Sequence, residues 1–132
     1  MKNGGIKNEG PRGAPEILER VFRFGVEVVR FGDHLDRQPG VGRVLMSQIV
    51  RSGTSVGANM EEAQAAQSRA DFVSKVSIAL KEARETCFRL RVLSAAAIAS
   101  ATPPMELIRE ADEICRVLGA IVASARTPRV NR

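Results

Sequence analysis

The apolar residues from Ile17 to Leu35 recur at alternating steps of four and three, the pattern of a helix that packs along one seam. The seam consists of Ile17, Val21, Phe24, Val28, Phe31 and Leu35. Few stretches of the chain show the period-two alternation of β-branched and aromatic residues that indicates strands. At 132 residues the chain is long enough for a single core. The sequence therefore predicts an all-α protein with one domain.

Three more helical patterns follow the first, separated by short breaks that contain Gly, Pro, Ser or Thr. Ser68 and Asp71 form a capping box before the third helix, and Thr102 caps a fourth helix that starts at Pro103. We expect the helices over residues 15–36, 41–67, 69–99 and 103–125.

Four helices joined by short loops predict an antiparallel, up-down-up-down four-helix bundle. We expect this bundle to span residues 14–126. The Gly-rich residues 1–13 are interpreted as a disordered lead, and residues 127–132 as a loose basic tail.

A second apolar strip lies on the first helix, away from the seam. It consists of Leu18, Phe22, Val26 and Val29. On the third helix Ile78, Phe88 and Val92 also point away from the core stripe. A surface helix of a monomeric bundle needs one apolar stripe. The strip on the first helix therefore predicts a subunit interface in an oligomer.

The second helix carries polar and small residues where a buried face is expected. Gly53 and Gly57 lie four residues apart, so a neighbouring backbone can approach closely there. The polar set is Gln48, Arg51, Ser52, Ser55, Asn59 and Glu62. It is either a buried hydrogen-bond network that fixes helix register or a binding site. Arg51 and Glu62 lie at the edge of this face and should pair with another helix or with a neighbouring subunit.

The chain has a formal net charge of +5, which permits binding to nucleic acid. The candidate phosphate-binding residues are Arg20, Arg23, Arg30, Arg37 and Arg43. They are interleaved with carboxylates, which is also the composition of an ordinary solvated face. Both interpretations stay open.

No residue set specifies a reaction. Cys87 and Cys115 fall on core stripes, and His34 is the one histidine, so neither a four-ligand zinc site nor a di-iron site is supplied. We expect no enzymatic activity, no cofactor and no metal. With no apolar run at the start of the chain and none long enough for a membrane span, we expect a cytoplasmic protein with reduced thiols.

Three segments resemble the bacterial four-helix-bundle family of 23S ribosomal RNA intervening-sequence proteins. They read Gln48-x-x-Arg51-Ser52-x-x-Ser55-Val56-x-Ala58-Asn59-x-Glu61-Glu62-Ala63, Ser68-Arg69-Ala70-Asp71-Phe72 and Ala79-Leu80-Lys81-Glu82-Ala83-Arg84-Glu85-Thr86. The resemblance covers roughly residues 15–125 and implies a homopentamer. A related branch resembles the accessory protein of diversity-generating retroelements, a basic pentamer that works with a reverse transcriptase and nucleic acid. No enzymatic activity comes with the resemblance.

Two hypotheses about function follow. The first is a non-enzymatic, oligomeric helical bundle that binds RNA or DNA, or a nucleic-acid enzyme such as a reverse transcriptase. The alternative is a scaffold or interaction module that binds only protein.

Overall fold

The computed structural model describes residues 14–37, 40–98 and 101–128. Four helices account for most of these residues: α1 (Ala14–Asp36), α2 (Val41–Gln64), α3 (Arg69–Ala96) and α4 (Met105–Arg126). Within those ranges no residue is in a strand, so the predicted all-α class is confirmed. The predicted lead and residues 129–132 of the predicted tail lie outside the described part of the chain.

The cap predicted at Ser68 is confirmed, while Asp71 accepts from the amide one residue before the one expected in a capping box; the turn at these residues explains why α2 ends early. The Asp71 amide donates to Ser68 Oγ at 3.0 Å, and the Gln67 amide donates to the Asp71 carboxylate at 3.3 Å. Ser68 is extended, with φ −156° and ψ 166°, so the residues before it have to turn. The predicted end of α2 at Gln67 is therefore wrong, and α2 ends at Gln64.

Two more predicted helix limits are wrong, at the junction of α3 and α4. α3 ends at Ala96 because Ala97 is left-handed, with φ 55°; the predicted end, Ala99, is outside the described residues. Thr102 does not cap α4, because its hydroxyl donates backwards to the Ile98 carbonyl at 3.0 Å. α4 instead starts at Met105. The carbonyl of Pro104, just before it, accepts hydrogen bonds from the Leu107 and Ile108 amides.

The predicted seam of α1 is confirmed, since all six of its residues are buried. It packs into one core with apolar residues of the other helices. The largest fully buried side chains of α2, α3 and α4 are Ile49, Val56, Met60, Val76, Leu90, Leu93, Ile114 and Leu118. Burying such side chains is the main term that stabilises the fold, at about 1.5–3 kcal/mol each.

Consecutive helices make the main contacts: α1 with α2, α2 with α3, and α3 with α4. The contact between α1 and α4 is smaller. It is bridged by Arg20, which donates to both carboxylate oxygens of Glu110 at 3.0 and 2.7 Å. This planar, two-bond geometry is the favoured arrangement of arginine and carboxylate.

Glycines bring α1 and α2 close together, as predicted. A Cβ on Gly53 would lie 2.6 Å from Val28 Cγ1, and one on Gly57 would lie 3.4 Å from the Val21 carbonyl oxygen. A side chain at Gly53 would therefore push the two helices apart.

Across the described ranges, no helix has both the length and the apolar character needed to cross a membrane.

Candidate interaction surfaces

The predicted apolar strip on α1 forms one wall of a groove of about 520 Å³ between α1 and α2. Phe22 is 63% exposed and Val29 46% exposed, while Leu18 and Val26 are half-buried. Gly25, Gly57 and Ala58 line the same groove. We call these residues, with Thr54 and Glu61, the α1–α2 groove. The four predicted interface residues therefore share one continuous surface, and its role as an interface stays a prediction.

The groove is concave because small residues lie between its larger ones: Gly25 on α1, and Gly57 and Ala58 on α2. A Cβ added to Gly25 would lie 3.9 Å from Thr54 Cα, so the backbone of α2 lies close to that of α1 there. Glu61 lies at the edge of the groove and is exposed. Its carboxylate makes no ion pair or hydrogen bond to another described residue.

A second apolar surface lies where α2 meets α3. Phe88 is 61% exposed and Val92 43% exposed, and both lie beside Leu45 and Gln48 of α2. Arg84, one turn before Phe88, is exposed and lies in the same surface. We call these five residues the α2–α3 surface. The sequence indicated it through the outward positions of Phe88 and Val92.

Of the six residues in the predicted buried network on α2, only Ser52 forms a buried hydrogen bond to another helix, at 2.7 Å to Thr86 of α3. Ser52 alone of its six residues is fully buried, while Gln48 is exposed. Ser55 and Asn59 are half-buried and bond within their own helix, to the carbonyls of Arg51 and Ser55. A helical stretch rich in polar residues satisfies them locally, by donation to the carbonyl four residues back. At Ser55 and Asn59 this local pairing replaces the predicted contacts between helices.

The pairing expected for Arg51 and Glu62 is confirmed, and the partners lie on α3. Arg51 contacts Glu82 at 3.4 Å and Glu85 at 3.7 Å, and Glu62 contacts Lys75 at 3.4 Å. Both residues are more than half exposed, so these pairs contribute little to stability.

Most of the predicted phosphate-binding arginines are paired with carboxylates. Three of these pairs join neighbouring turns of the chain and one joins α1 to α4, while Arg43 is exposed on α2. The N–O distances are 2.7 Å for Arg20–Glu110, 2.8 Å for Arg23–Glu19, 3.0 Å for Arg30–Glu27 and 3.0 Å for Arg37–Asp33. α1 itself contains more carboxylates than arginines, so it is net negative.

The excess positive charge of the helices is on α3, which the sequence interpretation did not single out. Its six Lys and Arg residues outnumber its three Asp and Glu residues. Arg84 and Arg91 are exposed and form no ion pair with another described residue. Counting charges helix by helix would have found this face.

The two cysteines are free, with Cys87 buried and Cys115 half-buried. Burial raises the pKa of both thiols, and that of Cys115 reaches about 11. At neutral pH both are protonated, and a protonated thiol is a poor nucleophile and a poor metal ligand. The imidazole ring of His34 stacks on the ring of Phe31, with the ring centroids 6.3 Å apart.

The family described as "23S rRNA-intervening sequence protein" matches residues 15–120, most of the chain. The chain belongs to that family. A crystal structure is also similar: that of a protein from Bacteroides thetaiotaomicron described as of unknown function and of the S23 ribosomal protein family. It is 37% identical, with a TM-score of 0.73, over 80% of this chain and 97% of that chain. No curated protein matches. For this intervening-sequence family member the comparisons give the family and the fold, so function has to be argued from its surfaces.

Proposed function

We propose that this intervening-sequence family member is a non-enzymatic protein that self-associates and, once assembled, binds nucleic acid or a nucleic-acid enzyme such as a reverse transcriptase. The observation that carries the proposal is the α1–α2 groove, where Phe22 and Val29 are exposed beside a floor of small residues. Contiguous exposed apolar surface of this kind usually marks an interaction site.

The proposed assembly is a pentamer of up-down-up-down bundles. The pentamer rests on the family resemblance, and the topology on the short connections between helices that are neighbours both in sequence and in space. The proposed setting is the cytoplasm, which agrees with two free thiols.

Binding to nucleic acid is supported by the net charge of +5 and by its distribution. On α1 the arginines already have carboxylate partners, so a phosphate would have to compete for them. On α3, a helix with excess positive charge, Arg91 is exposed without an ion-pair partner among the described residues, and Lys81 is exposed with only a long contact to Glu85, at 4.0 Å. We therefore assign the phosphate contacts to α3 rather than to the arginines suggested by the sequence.

Fluorescence anisotropy with labelled RNA and duplex DNA across a salt series tests the assignment. Lys81→Glu with Arg91→Glu changes the formal charge by 4, from +5 to +1. Arg23→Glu with Arg37→Glu makes the same change on α1 and near its end, so it is a matched control. We expect the α3 variant to bind at least about tenfold more weakly than the control. The native affinity should fall with salt, with a log–log slope of about 0.9 per phosphate neutralised on duplex DNA.

Equal losses in the two variants would contradict the α3 assignment. If the native protein binds neither probe at low salt, the protein-only scaffold is the better account. That alternative is favoured by the neutralised arginines of α1, and it requires the same apolar groove.

A further inference from the structure

We propose that the α1–α2 groove of one copy of this chain receives the α2–α3 surface of a second copy, with Phe88 entering the groove. The inference rests on the self-association part of the proposed function and specifies its geometry: two different surfaces meet in each contact.

Each copy has two separate apolar surfaces to cover. Phe22 and Phe88 are each more than 60% exposed, and they lie on different helices. A two-fold contact of the groove with itself would cover Phe22 and leave Phe88 in water. A contact between unlike surfaces covers both residues with a single type of interface, repeated from copy to copy.

The two surfaces are complementary in shape. The groove has about 520 Å³ of space because Gly25, Gly57 and Ala58 contribute almost no side-chain volume. Phe88 projects from α3 and is followed one turn later by Val92, so the two form a ridge along one side of the helix. Aromatic side chains that fill well-packed pockets contribute much of the binding energy at the centre of protein interfaces.

The two surfaces are also complementary in charge. Glu61 at the edge of the groove and Arg84 beside Phe88 are both exposed, and neither has an ion-pair partner among the described residues. The other charged residues that line the two surfaces are already paired, Arg30 with Glu27 and Arg89 with Glu85. When unlike surfaces meet, the carboxylate and the guanidinium face each other. When two like surfaces meet, each charge approaches the identical charge on the other copy, and the two repel each other. Charge complementarity therefore selects the second copy's α2–α3 surface as the occupant.

A mixing experiment tests this pairing directly. Phe22→Asp damages only the groove, and Phe88→Asp damages only the α2–α3 surface. Since both residues are exposed, helical circular dichroism should be unchanged. We expect each variant alone to be a monomer by light scattering. Mixed in equal amounts, they should form dimers and nothing larger, because one intact groove and one intact α2–α3 surface remain for a single contact.

Met105→Asp is the matched control. Met105 is exposed and apolar but lies outside both surfaces, so this variant should keep the native mass. As a second test, Glu61→Arg should weaken assembly at least about tenfold. Adding Arg84→Glu to it should restore assembly.

The outcomes separate this inference from the proposed function. A monomeric native protein would overturn both. A native oligomer whose Phe88→Asp variant keeps its full mass would leave self-association standing and overturn the pairing of unlike surfaces. Two monomeric variants that fail to form dimers on mixing would also overturn the pairing.

Discussion

Ser52 Oγ and Thr86 Oγ1 lie 2.7 Å apart and join α2 to α3 through a fully buried hydrogen bond. Each hydroxyl also has a carbonyl of its own helix within reach: Glu82 at 2.8 Å for Thr86 and Ile49 at 3.4 Å for Ser52. Because the Thr86 contact is the shorter of the two, Thr86 donates to Glu82 and accepts from Ser52. Buried hydroxyls need partners, and these two supply them to each other in the packed interface between two helices. The pair fixes the register of α2 against α3.

We predict that Ser52 and Thr86 are energetically coupled. Ser52→Ala and Thr86→Val should each lower the free energy of unfolding by about 1–2 kcal/mol. The double variant should lose less than the sum, with a coupling of about 0.5–1.5 kcal/mol. Urea unfolding of the four proteins measures this.

Ser55→Ala and Asn59→Ala provide the controls for that cycle. Their side chains bond only to the carbonyl four residues back, so each change should stay within about 0.5 kcal/mol. Additive losses at Ser52 and Thr86 would show that the hydrogen bond does not link the helices energetically.

We predict opposite effects of alanine at two helical glycines. Gly53→Ala would place Cβ 2.6 Å from Val28 Cγ1, and this overpacking should cost about 1–3 kcal/mol, more than the gain in helix propensity. A Cβ on residue 119 would have no atom within 4 Å, so Gly119→Ala should raise the free energy of unfolding by about 0.4–1 kcal/mol. Thermal unfolding checks both, and a Gly53→Ala protein that melts above the native one would contradict the close contact of α1 with α2.

Periodicity alone was enough to predict the core of α1, because every third or fourth residue from Ile17 to Leu35 is large and apolar and needs one buried face. The cap at Ser68 was also predictable, since its two hydrogen bonds depend on neighbours in sequence. Thr102 shows the limit. A threonine before a proline suits an N-cap, yet its hydroxyl can also donate to the preceding turn, and only the three-dimensional path of the chain decides between them.

The candidate surfaces were predicted less completely. The exposure of Phe22 and Val29 followed from a second apolar strip on one helix. The buried partner of Ser52, Thr86, is 34 residues away and could not be found from spacing. The ion pair of Arg23 with Glu19 could be predicted, because the two residues are four apart on one helix. The ion pair of Arg20 with Glu110 could not, because it depends on how α1 packs against α4.

We predict slow alkylation of both cysteines in the folded protein. Burial raises the pKa of Cys115 from 9.0 to about 11. At pH 8 the folded thiol should therefore react with iodoacetamide about a hundredfold more slowly than in the urea-unfolded chain. Mass spectrometry of the alkylated peptides follows Cys87 and Cys115 separately. Equal rates in the folded and unfolded protein would contradict the burial of the thiols.

The raised pKa of Cys115 also predicts that the protein loses stability as the pH rises. Between pH 9 and 11 the folded state holds the Cys115 proton and the unfolded state releases it, so this contribution is present below pH 9 and is lost as pH rises towards 11. Cys115→Ser should make the decline in unfolding free energy over this range less steep. An unchanged pH profile would show that Cys115 does not contribute.

Sedimentation equilibrium of the native protein at micromolar concentration tests the central claim most directly, because self-association underlies both proposals. The account predicts a single species with a mass several times 14.3 kDa, which shifts to 14.3 kDa when Phe22 and Val29 are both changed to Lys, with the helical circular dichroism retained. A native protein that sediments at 14.3 kDa would contradict the account.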